Sequence, residues 1–117
     1  MAAVDIELSD EQQFLQESVA GVVAREAAPP AVRRWAELSD LGPADAIAAQ
    51  QGWTGIGLAE ELGGQGGGVM ELAVVAEQLG RVAVPWDRTL AGCLALRLLA
   101  ATGSEPARAV AGATAEG

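Results

Sequence analysis

The sequence predicts an all-α fold of about six helices. Apolar residues recur at helical spacing over several stretches. No run alternates convincingly with strand period, so no sheet is expected. Proline, glycine and capping residues punctuate the chain at helix-sized intervals. The 117 residues make one small domain, with no internal repeat and no obvious interdomain linker.

Each element has its own reason. Ser9-Asp10-Glu11-Gln12 reads as a capping box, with two acids in the first turn where the helix dipole favours them. Phe14, Leu15, Val19, Val22 and Val23 are expected on the buried face of this first helix, which Pro29-Pro30 ends near Ala27. A short helix is expected over Ala31 to Leu38, with Trp35 and Leu38 inward and Arg33 and Arg34 outward. Pro43 suits the first position of a third helix, which Gly52 stops after Gln51. Trp53 to Gly68 is expected to be mostly loop.

The clearest helix runs from Val69 to Gly80, where Leu72, Val75, Ala76 and Leu79 form one stripe. Val82 to Asp87 reads as an extended connector around Pro85. Leu90 to Ala101 is apolar on most sides, as in a helix buried within an assembly. Thr102-Gly103 ends it, and Ser104 caps a last helix from Glu105 to about Ala113.

Composition excludes several functions. The formal charge is −9, and every cation is Arg. Such a chain has no bulk positive charge with which to follow a nucleic-acid backbone. It has no His, so Ser-His and Cys-His catalysis and His-ligated zinc are excluded for this chain alone. The single Cys93 can form neither an internal disulfide nor a Cys-pair metal site, and it reads as a small buried hydrophobe. The start, MAAVDIELSDEQQ, lacks the basic and apolar segments of a signal peptide, and the longest apolar run contains Arg97. These features point to a cytoplasmic protein with no membrane span. Hydrophobic residues reach 50% before 15 glycines are counted, which suggests an exposed apolar face.

Gly63 to Gly68, GGQGGG, invites a phosphate-loop reading, but the spacing is wrong and no Lys follows. Glu71 also falls in the next helix's first turn, where it would repel a phosphate. A tight turn using positive φ angles is favoured. Glu60 and Glu61 read as a solvated loop edge or helix cap, and Glu71 and Glu77 as solvated acids. Trp35, Trp53 and Trp86 read as packing anchors. Chemistry alone shows no catalytic, cofactor-binding or metal-binding residue.

The order of the motifs is more informative than any one of them. Leu8-Ser-Asp-Glu-Gln12 is followed by Gly52-Trp53-Thr54-Gly55 and by Glu60-Glu61-Leu62-Gly63-Gly64-Gln65-Gly66. Then come Glu71-Leu-Ala-Val-Val-Ala-Glu77, Leu79-Gly80-Arg81, Pro85 and Gly103-Ser104-Glu105. In this order and spacing the chain resembles the N-terminal α-helical domain of acyl-CoA dehydrogenases over nearly its whole length. Ala59 stands where that family usually has Pro, and the last helix lacks its usual basic and Gln residues.

The resemblance implies an irregular, orthogonal helical bundle. It implies FAD-dependent α,β-dehydrogenation of an acyl-CoA thioester in the complete enzyme, which also has a β domain and a C-terminal four-helix bundle. The flavin contacts and the catalytic base of the family lie mainly in those other parts. This chain alone is therefore expected to be inactive and to bind no FAD stably. Its partners would be the remaining domains or a partner subunit, in a homo- or hetero-oligomer. By position, Trp86, Leu90 and Leu94 would help to wall the acyl channel; plain core is the simpler role for each. Straight-chain, branched, aromatic and sterol-derived acyl groups all remain open. An alternative is a non-enzymatic helical module that pairs with a dehydrogenase-like partner subunit.

Overall fold

A computed structural model describes residues 7–115, which form six α-helices. They are α1 (Asp10–Glu26), α2 (Pro29–Leu38), α3 (Gly42–Gln51), α4 (Val69–Gly80), α5 (Asp87–Ala101) and α6 (Glu105–Ala115). Two short 3-10 turns, Trp53–Gly55 and Glu60–Leu62, lie between α3 and α4. Among the described residues there is one isolated parallel bridge, Ile56 to Gly66, and no strand. The all-α expectation is met. Residues 1–6, the start of the segment compared with a signal peptide, lie outside the described residues.

The α1 cap forms as the sequence implies. Gln12 N–H donates to Ser9 Oγ at 3.2 Å, and Ser9 N–H donates to Gln12 Oε1 at 2.9 Å. Pro29 and Pro30 do more than stop α1. They take the opening positions of α2, where a missing N–H costs nothing. Gly52 closes α3 in the left-handed region at φ 76°.

The helices bury one main core. Val19, Val22 and Val23 of α1 meet Leu72, Val75 and Leu79 of α4, with Ala48, Trp53, Trp86 and Cys93 completing it. A smaller cluster joins Leu58 of the central loop, Leu96 of α5 and Ala111 of α6. Each fully buried Val or Leu contributes about 1.5–3 kcal/mol relative to exposure. The molecule is only 20 Å thick, about two helix diameters, so every helix keeps an outward face.

Several expectations need correction. Phe14 is 74% exposed. It lies about 140° round α1 from Val19 at 3.6 residues per turn, off the buried arc. Leu38 is 68% exposed, because α2 turns its Val32–Trp35 side to the core and ends at Leu38. The α4–α5 connector is not extended throughout: Arg81–Ala83 form a turn, Ala83 has φ 56°, and Val84 N–H bonds back to Leu79 O at 3.0 Å. α5 begins at Asp87, three residues before the expected Leu90.

Candidate functional site

The face of α5 is the candidate site. Trp86 is the residue before its first turn, and its ring is buried with Val84 and Trp53 in the main core. Leu90, one turn on, is half-buried against the same core. Leu94, another turn on, is 45% exposed. The spacing of four keeps all three on one stripe that climbs from core to surface. Leu98 continues it and is 72% exposed. The sequence-based assignment ended at Leu94, although the same period of four points to Leu98. Within this chain the stripe is an open apolar surface.

The opposite arc of α5 explains why the stripe faces outward. Thr89, Cys93 and Leu96 are buried there. Cys93 Sγ donates to Trp53 O at 3.2 Å, and its side chain is 1% exposed. Burial pushes its thiol pKa above the ordinary value. Arg88 reaches Asp45 of α3 at 3.3 Å, but it is largely exposed and contributes little. Pinned on one arc, α5 presents Leu94 and Leu98 on the other.

The glycine-rich segment is scaffold. Gly63, Gly66 and Gly67 all have positive φ, as the turn reading expects. At Gly64 a Cβ would overlap the Leu58 carbonyl oxygen, so no side chain fits there. Glu71 is not a plain solvated acid. Its Oε2 accepts from Gly68 N–H at 2.7 Å, and its Oε1 accepts from Gln12 Nε2 at 3.1 Å. These bonds, the Gln12 one foremost, hold its carboxyl below the ordinary pKa. The signal was available in the sequence, since an acid three residues into a helix suits its N-terminal N–H groups.

This carboxylate bears on any flavin. A glycine-rich helix start can seat a phosphate, but here Glu71 already occupies that start with negative charge. The residues present there do not fit FAD. Among the described residues no group of acids, Cys and His could hold a metal ion, and no helix is long and apolar enough to cross a membrane.

Comparison with known proteins settles the family. A family model described as "Acyl-CoA dehydrogenase, N-terminal domain" matches residues 9–110. The chain belongs to the acyl-CoA dehydrogenase family.

Acyl-CoA dehydrogenase IpdE2 of Mycobacterium tuberculosis is 41% identical over 80 residues, covering 65% of this chain and 25% of that protein. The protein of the same name from Mycolicibacterium smegmatis is 39% identical over 82 residues, covering 67% of this chain and 26% of that one. The chain thus matches about a quarter of the length of these curated relatives. No solved structure matches significantly. The match runs from the Ser9 cap into α6, so an acyl-CoA dehydrogenase N-terminal domain accounts for every helix described above.

Proposed function

We propose that residues 1–117 form the N-terminal helical domain of an FAD-dependent acyl-CoA dehydrogenase. In the complete enzyme the domain walls the acyl channel and packs on the β and C-terminal domains. The observation that carries this reading is the outward apolar stripe of α5, with Leu94 and Leu98 exposed beside half-buried Leu90. Exposed leucines in register on one helix favour a covered partner surface over a solvated one. Trp86 supports the stripe from beneath, as its rigid inner end.

The reaction is α,β-dehydrogenation of an acyl-CoA thioester, with flavin and catalytic base supplied from outside this chain. The chain alone is inactive and colourless, and the working protein is a cytoplasmic oligomer. The same stripe also suits the second reading, a helical module paired with a dehydrogenase-like subunit.

Flavin and acyl-CoA titration tests the proposal. The chain alone should take up no FAD and oxidise no acyl-CoA. Supplying β and C-terminal domains of this family should give a yellow complex whose activity requires this chain. A yellow, active preparation of the chain alone would overturn the reading. Binding to a dehydrogenase-like partner that is already active without this chain would favour the module.

A further inference from the structure

Arg97 interrupts an apolar run: from Leu94 to Ala101 every other residue is Leu or Ala. Its side chain is half-buried, and Nη1 donates to the Gly57 carbonyl at 3.0 Å. The approach is close, since a Cβ on Gly57 would come within 2.8 Å of Nη1. A guanidinium has five N–H donors, so this bond leaves four for other partners.

Arg108 of α6 lines the same cleft, a space of about 340 Å³ between the Gly57–Leu62 loop and the α5–α6 junction. Among the described residues no carboxylate lines this cleft. Glu61 and Glu105 border the neighbouring cleft with Arg108, yet among the described residues neither arginine has a carboxylate at ion-pair distance. A chain of net charge −9 thus places two of its seven cations around one acid-free hollow. Arg97 helps to lower the Glu71 pKa through space without forming an ion pair, and a half-buried guanidinium held by a single carbonyl gains from an anion beside it.

We propose that this cleft is an oxyanion site for the phosphate group of a small ligand, with Arg97 and Arg108 as its donors. One guanidinium fork matches one carboxylate. Two forks on a common cleft match the two charges and three free oxygens of a phosphate monoester better. Arg97 is the donor anchored by Gly57, and Arg108 is the donor on the exposed side.

The test is a titration of the full ¹⁵N-labelled chain with methyl phosphate, and separately with acetate, at matched ionic strength. Arginine Nε–H signals and the amides of residues 57–62 are followed. Methyl phosphate should give saturable shifts at Arg97, Arg108 and that loop. Arg108→Gln should weaken it by roughly fivefold or more, as loss of a charge-assisted donor requires. Arg33→Gln, on the exposed face of α2, should leave it unchanged. Acetate should bind at least roughly fivefold more weakly than methyl phosphate. Equal response to the two anions, shifts spread evenly over all arginines, or an Arg108→Gln chain that titrates like the native one would overturn the proposal. Arg108 is exposed, so its replacement leaves the fold intact; unchanged amide dispersion verifies this.

Discussion

The side-chain amide of Gln12 donates to Glu71 Oε1 at 3.1 Å and so ties the first turn of α1 to the first turn of α4. The amide is oriented by its other end, since Gln12 Oε1 accepts from Ser9 N–H. One glutamine therefore caps its own helix and holds the carboxylate that caps another. The two residues are 59 apart in sequence, and each belongs to a different motif.

Removing this link should cost stability in a pH-dependent way. Glu71→Ala should destabilise by about 1–2 kcal/mol at neutral pH, the scale of a charge-assisted hydrogen bond. Glu71 has a native pKa depressed below its ordinary 4.5. Its contribution is therefore full above the unfolded value and lost as pH falls through the native one. Urea unfolding between pH 7 and 3 should show the native and Glu71→Gln chains converging as pH falls. A constant gap would contradict this linkage.

The central loop and α5 should distinguish two glycines. Gly64→Ala drives a Cβ into the Leu58 carbonyl and should destabilise by about 1–3 kcal/mol, as overpacking does. Gly92 lies inside α5, and a Cβ added there would meet nothing within 4 Å. Gly92→Ala should stabilise by up to about 1 kcal/mol through helix propensity. Chemical denaturation of the two variants checks both signs.

Much of the fold was legible because its determinants are local. The Ser9 capping box, the Gly52 stop and the Leu72–Leu79 stripe of α4 each lie within a few residues, and each forms as expected. Phe14 and Leu38 were misplaced because being apolar does not fix a side chain's angle to the core. The Glu71–Gln12 and Arg97–Gly57 bonds span 59 and 40 residues, and no local pattern encodes such pairings. The three candidate channel residues share a stripe that periodicity could suggest, but not its rise from core to surface.

Cys93 should behave as a structural thiol. It is 1% exposed, its pKa is raised by burial, and its Sγ contacts two backbone carbonyls. A thiol reagent at pH 8 should modify the folded chain far more slowly than the unfolded chain. Equal rates would show that the α5 arc opens readily.

The exposed stripe should govern association more than stability. Leu98→Gln changes a residue that is 72% exposed, so stability should move by no more than about 0.5 kcal/mol. Self-association of the isolated chain, followed by analytical ultracentrifugation, should fall in the same variant. Unaltered self-association would mean that another surface is responsible.

The most direct measurement is acyl-chain selectivity in the complete enzyme with Trp at the stripe. Leu94→Trp uses a half-open position that tolerates added bulk, and Leu90→Trp probes the deeper one. If α5 walls the acyl channel, the ratio of kcat/KM for long over short acyl-CoA thioesters should fall in both variants. Thermal unfolding of Leu94→Trp should remain near that of the native enzyme. An unchanged ratio in both variants would contradict the channel role and leave Trp86, Leu90 and Leu94 as packing residues.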